Sequence, residues 1–284
     1  MSFLAPAKIN ISLAVFGKRP DGFHNIRSVM VPVSLYDEVT VEEAHDGIRV
    51  GSDDPSVPSG SGNTCHKAAK LFMEWAGAPR GVRIFVKKRI PTEAGLGGGS
   101  SDAAAALKGL MALTGATPPR DVLLSMAASV GADVPFFTLG GPALVEGFGE
   151  RLTPLPWTVP FHAVIVKPPF GLPTGEGYRR LGRAHGDPPA PGEAHAPRDW
   201  RGLVSSVGND FEAAWAGERP EIGAIKRELV SAGAAAAGMS GSGSAVFGLF
   251  EGEAKAREAQ GALSRRGADG FPGSGRRVYV ARNV

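Results

Sequence analysis

The stretch PTEAGLGGGSSDAAAAL, from Pro91 to Leu107, constrains this chain more than any other. Before it, GVRIFVKKRI interleaves Val82, Ile84 and Val86 with Arg83, Phe85 and Lys87, the period of a strand. After it, the alanine-rich run from Asp102 through Leu113 has the composition of a helix. Between them lie Gly95, Gly97, Gly98 and Gly99, then Ser100 and Ser101. Glycine admits positive φ and close approach of another group. Serines at a helix start cap free N–H groups, and a helix N-terminus attracts anions. A strand, a glycine arc and a helix start together make a phosphate cradle. A P-loop would place Lys and then Ser or Thr after the last glycine, and a dinucleotide fingerprint starting at Gly95 would need glycine at position 100. Ser100 and Ser101 exclude both. On glycine content alone, a turn that binds nothing stays open.

A chain of 284 residues has room for two domains, each with its own core. Its formal charge of +3 is compatible with anionic small molecules and gives no case for nucleic-acid binding. The single Cys65 excludes an internal disulfide and a cysteine-rich metal site, and reads as a small side chain on a helix face. The N-terminal MSFLAPAKIN has no basic segment followed by an apolar one, and no run approaches the roughly 18 apolar residues of a membrane helix. The expectation is a cytoplasmic protein that engages neither membrane nor nucleic acid, as a monomer or homodimer.

Taken in order, AKINISLAV at 7–15 alternates Ile9, Ile11, Leu13 and Val15 with Lys8, Asn10 and Ser12. Pattern alone favours a solvated polar face on an edge strand, with a site-lining face as the alternative. Pro20-Asp21-Gly22 is a turn that leaves Phe23 and His24 side by side, a ring and an imidazole suited to a planar base or simply to core and surface. Strand follows over 28–43, then a polar loop over 51–62. Asn63 is the expected N-cap of a helix through Trp75, with Ala68, Leu71, Phe72 and Trp75 on one face. Asp121 is the expected cap of DVLLSMAASV, ended by Gly131. In GADVPFF, Asp133 sits in a short turn among apolar residues, and Pro135 is expected to prevent continuation of the helix. Such a carboxylate suits a base or charge-pairing role, or merely caps the turn. Residues 143–155 read as a hairpin turning at Gly147-Phe148-Gly149.

Composition changes near Pro154 to Pro160, dividing the chain into domains at 1–155 and 156–284. The second half opens with the strand FHAVIVK and a short helix in PTGEGYRRL, followed by a mobile loop over 183–199. Helices at about 209–216 and 220–232 precede a short apolar strand, a second glycine-serine arc from Ser240 to Ser244, and the strand AVFGLF. A helix over 253–266 and the strand RRVYVA close the chain. The fold class is α+β, a two-domain α/β sandwich with helices on one face of a mainly antiparallel sheet.

AKIN, AGLGGGSSDA and MSGSGSAVFG resemble the three motifs of the galactokinase, homoserine kinase, mevalonate kinase and phosphomevalonate kinase superfamily, over nearly the whole chain. RPDGFH, KRIP, GADVPFF, EGFGE, Pro173-Thr174 and NDFE at 209–212 narrow the resemblance by their order and spacing. They point to the branch acting on a cytidine-diphosphate-linked methylerythritol in the non-mevalonate isoprenoid pathway. The resemblance implies ATP-dependent phosphorylation of the 2-hydroxyl of that alcohol, with Mg2+, in a cleft between two domains. It implies ATP contacts from Pro91, Ala94, Gly95, Leu96, Gly97, Gly98, Gly99, Ser100 and Ser101, with the Ser101 hydroxyl on magnesium. It makes Asp133 the base, with Lys8 beside it holding the carboxylate ionised and orienting the hydroxyl.

On the substrate side the same resemblance implies Asn10, and His24 on the cytidine base with Phe23 and Tyr178 as rings around it. Lys88, Phe148 and Thr174 match further nucleotide- or substrate-side positions. Ser240, Gly241, Ser242 and Gly243 form the second glycine loop. Relatives commonly carry Tyr at position 23, so Phe23 keeps the ring and loses a hydroxyl. Three rival readings stand beside this one. They are another alcohol kinase of the superfamily, a catalytically inactive nucleotide-binding sensor, and an RNA- or ribosome-associated domain for which no basic or aromatic patch speaks.

Overall fold

The computed structural model describes residues 1–77, 81–184, 196–268 and 275–284. Two compact units emerge, interleaved in sequence: Met1–Ala7, Leu35–Thr92 and Gly97–Gly140 form one, and Lys8–Ser34, Glu93–Leu96 and Gly141–Val284 form the other. The interleaving arises because strands β1 (Ser2–Lys18) and β2 (His24–Ala44) are long enough to contribute to both. The units therefore do not divide at the expected 155/156 boundary.

In the first unit, β3 (Ile48–Ser52) lies parallel to β4 (Gly81–Lys87), which runs antiparallel to residues 38–44 of β2. The alternation of β4 reads out directly, with Val82, Ile84 and Val86 buried and Phe85 exposed. β3 occupies the start of the stretch expected to be loop, because Ile48 and Val50 complete a ladder whose other strand supplies the apolar neighbours. Helix α1 (Thr64–Ala76) begins where expected: the Asn63 Oδ1 accepts from Cys65 N at 2.8 Å, and its Nδ2 donates to Pro58 O at 2.7 Å. Cys65, Ala68, Ala69 and Phe72 are buried, whereas Trp75 turns outward at 40% exposure.

Helix α2 (Gly98–Thr114) starts four residues before Asp102. Ser100 and Ser101 therefore lie inside its first turn instead of capping it, and the N-cap is Gly97. Alanines fill the buried face from Ala103 to Ala106, so the helix packs closely on its neighbours. The closest approach is at Gly109, where an added Cβ would stand 2.4 Å from Val41 Cγ2 and 3.2 Å from Phe3 Cε2. Helix α3 (Arg120–Val130) has Pro119 at its N-cap, which places the expected cap Asp121 within the first turn, where its charge favours the dipole. Helix α3 ends at Val130 as expected, and a separate short helix, α4 (Val134–Leu139), follows with Pro135 in its first turn. Proline is tolerated in the first turn because those N–H groups have no helical acceptor.

The second unit holds a four-stranded antiparallel sheet in the order β11 (Arg277–Arg282), β7 (His162–Lys167), β10 (Val246–Phe250) and β9 (Ala236–Met239). Helices α8 (Pro220–Ser231) and α9 (Glu253–Ala268) pack on it. Both β7 and β10 are buried along nearly their whole length, which accounts for their continuous apolar runs. The expected hairpin forms as β5 (Ala143–Gly147) and β6 (Arg151–Pro154), with β5 pairing to residues 26–30 of β2. Arg19 N donates to Phe23 O at 2.7 Å and closes the turn between β1 and β2.

Helix α5 (Thr174–Leu181) matches PTGEGYRRL. The helix expected at about 209–216 forms as α7 (Phe211–Trp215), and ahead of it lie two elements that were not expected, α6 (Trp200–Ser205) and a two-residue strand β8 (Gly208–Asn209) parallel to β1. Of the loop expected over 183–199, residues 185–195 lie outside the described residues. Lys8, Asn10 and Ser12 do not form a solvated edge. Lys8 and Asn10 are 3% and 1% exposed, because β8 and the chain around Ser240 cover that face.

Gly109 sets up a contest of known sign. Gly109→Ala gains about 1 kcal/mol of helix propensity but overpacks Val41 at a cost of about 1–3 kcal/mol. The variant is expected to unfold at lower urea concentration than the parent, read by circular dichroism.

Candidate active site

The first arc divides between the two units, and each half meets a different constraint. In the second unit, Gly95 has φ of +73°, a conformation that side chains rarely adopt, and a Cβ there would lie 2.0 Å from Ser240 O. Gly95 is therefore the point at which the two glycine-serine arcs touch. Ala245 N donates to Ala94 O at 3.0 Å, and Ser240 Oγ donates to Gly95 O at 2.9 Å. Lys8 N donates to Leu96 O at 2.9 Å, so β1 grips the same short segment.

Beneath the second arc, Asn209 Nδ2 donates to Met239 O at 2.7 Å and Gly241 O at 2.8 Å. Thr174 and Ser242 share a hydroxyl contact of 2.8 Å. The NDFE motif now has a physical meaning. Asn209 holds the arc, and Asp210 accepts from Val15 N of β1 at 2.9 Å. Phe211 packs edge-on to Tyr178, and Glu212 accepts from Met239 N at 2.9 Å.

Lys8 and Asn10 meet in this unit. Lys8 Nζ donates to Asn10 Oδ1 at 2.6 Å, and Gly241 N donates to the same oxygen at 2.8 Å. The aromatic residues gather as well. His24 stacks on Tyr178 with centroids 5.0 Å apart and planes 12° from parallel. Phe23, 58% exposed, leans on Phe148 at 5.3 Å, with the Arg19 guanidinium 5.2 Å from the Phe148 centroid. His24 Nδ1 contacts Phe16 O at 3.0 Å. A carbonyl only accepts, so Nδ1 carries the hydrogen and Nε2 of the neutral ring is an acceptor.

In the first unit, the other half of the arc becomes the N-terminus of α2. Gly97 supplies no side-chain cap, so the N–H groups of the first turn at Gly98, Gly99 and Ser100 have no helical or capping acceptor. Thr64 Oγ1 braces this turn by donating to Gly99 O at 2.7 Å. Two buried oxygens within the same helix start have no partner among the described residues: Ser101 Oγ and Asp102 Oδ1. Free amides, a helix dipole and an orphaned hydroxyl together form a site for an anion. Asp133, the N-cap of α4, does not spend its side chain on closing that helix.

Lys88 takes an unexpected place. Its side chain is 5% exposed, and Nζ donates to Asp37 Oδ2 at 2.5 Å and Asp102 Oδ2 at 2.8 Å. Asp37 also accepts from Arg89 N at 2.5 Å and Ile90 N at 2.8 Å. A Cβ at Gly98 would lie 3.2 Å from Lys88 Nζ, which puts this triad directly under the arc. Two carboxylates share one ammonium in a dry setting. Burial raises the Asp102 carboxyl from its usual 3.8 to about 7, with Asp37 pushing the same way and Lys88 opposing. Burial works against the charge on Lys88, yet Asp102 and Asp37 outweigh it and hold its pKa above the ordinary value. Burial also pushes the Cys65 thiol well up, consistent with a packing role. Asp37 and Asp102 escaped sequence reading. The only signal was a carboxylate opening the inner face of an alanine run, and a second one inside a strand.

The comparisons with known proteins agree with this geometry. The model of the GHMP kinases N terminal domain matches residues 63–141, and that of the GHMP kinases C terminal matches residues 199–269. The two family matches place the chain in the class of ATP-dependent small-molecule kinases. A 4-diphosphocytidyl-2-C-methyl-D-erythritol kinase of Acetivibrio thermocellus is 42% identical over 260 residues, covering 90% of this chain and 92% of the relative. A crystal structure of a 4-(cytidine 5'-diphospho)-2C-methyl-D-erythritol kinase superposes with a TM-score of 0.83 at 39% identity, covering 100% of this chain and 99% of the other. The homoserine kinase from Cytophaga hutchinsonii, at 21% identity and a TM-score of 0.74, shares the fold and covers 100% of this chain and 94% of its own. The chain belongs to the 4-diphosphocytidyl-2-C-methyl-D-erythritol kinase family.

The Asp102 shift has a sign that can be checked. Between about pH 4 and 7 the folded protein binds more protons than the unfolded chain, so stability falls as pH rises through that window, by at most about 1.4 kcal/mol per pH unit. Asp102→Asn removes the titration. Its urea midpoint, measured from pH 4.5 to 8, is expected to decline less steeply than that of the parent.

Proposed function

We infer that this chain transfers the γ-phosphoryl group of ATP to the 2-hydroxyl of 4-diphosphocytidyl-2-C-methyl-D-erythritol. Family membership carries this reading, and the uncapped start of α2 with its orphaned Ser101 hydroxyl is the observation that supports it in the structure. Phosphoryl transfer is largely positioning and charge stabilisation, so the protein's task is to aim donors at the phosphates and to manage one alcohol proton. The amides of Gly98, Gly99 and Ser100 serve as donors to phosphate oxygens. Pro91, Ala94, Gly95 and Leu96 shape the approach to them, and Ser240 to Gly243 supply the second loop.

The buried Ser101 Oγ is an oxygen donor of the kind magnesium takes, and Ser101 would hold the ion together with phosphate oxygens. Magnesium bound there offsets the charge of the polyphosphate. Asp133 acts as the base that accepts the alcohol proton. Lys8 stabilises charge in its neighbourhood and orients the hydroxyl, with Asn10 assisting. Because the Lys88 ammonium is engaged by Asp37 and Asp102, Lys88 contributes by supporting the arc from below.

The base is read by His24. Its Nε2, an acceptor when the ring is neutral, suits the exocyclic amine of cytosine, and Tyr178 backs the imidazole. Phe23 and Phe148 offer exposed ring faces for stacking, and Thr174 lies beside Ser242. Residues 1–155 carry the ATP-binding arc together with Asn10, Phe23, His24 and Phe148 on the substrate side, and 156–284 complete the substrate site with Thr174 and Tyr178. The setting is the cytoplasm.

The test is ADP release with magnesium-ATP and 4-diphosphocytidyl-2-C-methyl-D-erythritol, beside homoserine, mevalonate and galactose. Turnover with the cytidine compound alone is expected; turnover with another alcohol instead would discard the roles of Phe23, His24 and Tyr178. In the same assay, Asp133→Asn is expected to lower kcat by roughly 10²–10⁴. Near-parental turnover would remove Asp133 from the mechanism.

A further inference from the structure

We propose that Ser28 is a positioning residue for Lys8, acting through Asn10, and that the chain of bonds joining them ties the Lys8 ammonium to the second glycine arc. The proposal rests on the role given to Lys8 above. Ser28 lies on β2, fully buried at 0% exposure, and its hydroxyl faces β1. Three bonds follow one another with fixed direction. Ser28 Oγ donates to Ser12 O at 2.6 Å, since a carbonyl can only accept. With its hydrogen committed there, the Ser28 oxygen is left as an acceptor, and Asn10 Nδ2 donates to it at 2.7 Å. The amide oxygen of Asn10 must then face the other way, where it receives Lys8 Nζ at 2.6 Å and Gly241 N at 2.8 Å.

Both lone pairs of Asn10 Oδ1 are thereby used, one by the ammonium and one by the backbone of the second arc. The residue works as a strut: a change in its tilt moves Lys8 and Gly241 together. Ser28 is what holds the far end of that strut. Ser240 strengthens the junction, because its hydroxyl donates to Gly95 O at 2.9 Å and lies 3.4 Å from both Asn10 N and Asn10 Oδ1. Serine at position 28 is chosen by this geometry. Its neighbours on the ladder, Arg27 and Val29, face other surroundings, and an apolar side chain at 28 would leave a buried amide donor of Asn10 without an acceptor.

Such an orphan is costly, and the structure relieves it by letting the Asn10 amide tilt, which spoils the aim of Lys8. Ser28→Ala is therefore expected to lower kcat about tenfold, as one unsatisfied buried donor can do, while KM for ATP and for the alcohol stays within about twofold. Ser28→Thr keeps the hydroxyl and is expected to retain kcat even where its extra methyl lowers the urea midpoint. A merely structural Ser28 gives the opposite pattern. In that case Ser28→Ala lowers the midpoint with kcat of the folded enzyme unchanged, or Ser28→Thr loses turnover as fully as Ser28→Ala, and either result overturns the proposal. Lys8→Met, measured alongside, keeps the two readings apart: if it retains turnover, the role of Lys8 itself fails, whatever Ser28 does.

Discussion

The approach of Gly95 to Ser240 is the contact on which the site depends. A Cβ at residue 95 would fall 2.0 Å from the Ser240 carbonyl oxygen, so the two arcs meet only because residue 95 has no side chain. Two hydrogen bonds to Ala94 and Gly95 then lock segments almost 150 residues apart in sequence, and β1 joins through Leu96. Loops are ordinarily the mobile part of a fold. Here backbone bonds and the Asn209 amide give loop residues the rigidity of a strand. A reaction that proceeds by placement of donors requires that rigidity, since small misplacements of reacting groups are expensive.

The charge beneath the arc has its own logic. An anion site resting on two carboxylates and one ammonium would oppose its ligand if both acids stayed fully ionised. Burial resolves the conflict by raising the Asp102 carboxyl toward neutrality, leaving Lys88 balanced chiefly by Asp37. Asp37 is the better supplied with donors, because two backbone amides accompany the lysine on its oxygens. The two acids share a single cation, yet one has backbone donors on its oxygens and the other keeps an oxygen with no partner among the described residues.

Much of this was legible in the sequence where local chemistry decides the outcome. Asn63 capped α1, the hairpin turned at Gly147-Phe148-Gly149, Pro220 opened α8, and the alternation of β4 appeared as written. The failures share a cause in tertiary context. Glycines are poor helix formers, yet Gly98 and Gly99 begin α2, and at Gly98 a Cβ would stand tightly against Ile90 and Lys88, at 3.0 and 3.2 Å. The polar face of β1 has the pattern of a solvated strand and is buried, because long-range partners satisfy Asn10. In the same way Asp37 and Ser28 carry no motif of their own, and Asp102 lies within AGLGGGSSDA with nothing local to set it apart. Each is an ordinary polar residue until a neighbour from elsewhere in the chain gives it a direction.

The threading of β1 and β2 through both units has a consequence for how the protein can be taken apart. Each unit is assembled from three separate stretches of chain, and the stretches alternate. No single scission, at 155 or anywhere else, releases either unit whole, and a gene fragment encoding one contiguous half would omit strands that its remaining residues need as neighbours. Neither unit is therefore a detachable segment: each borrows its strands from a chain that must be made in one piece.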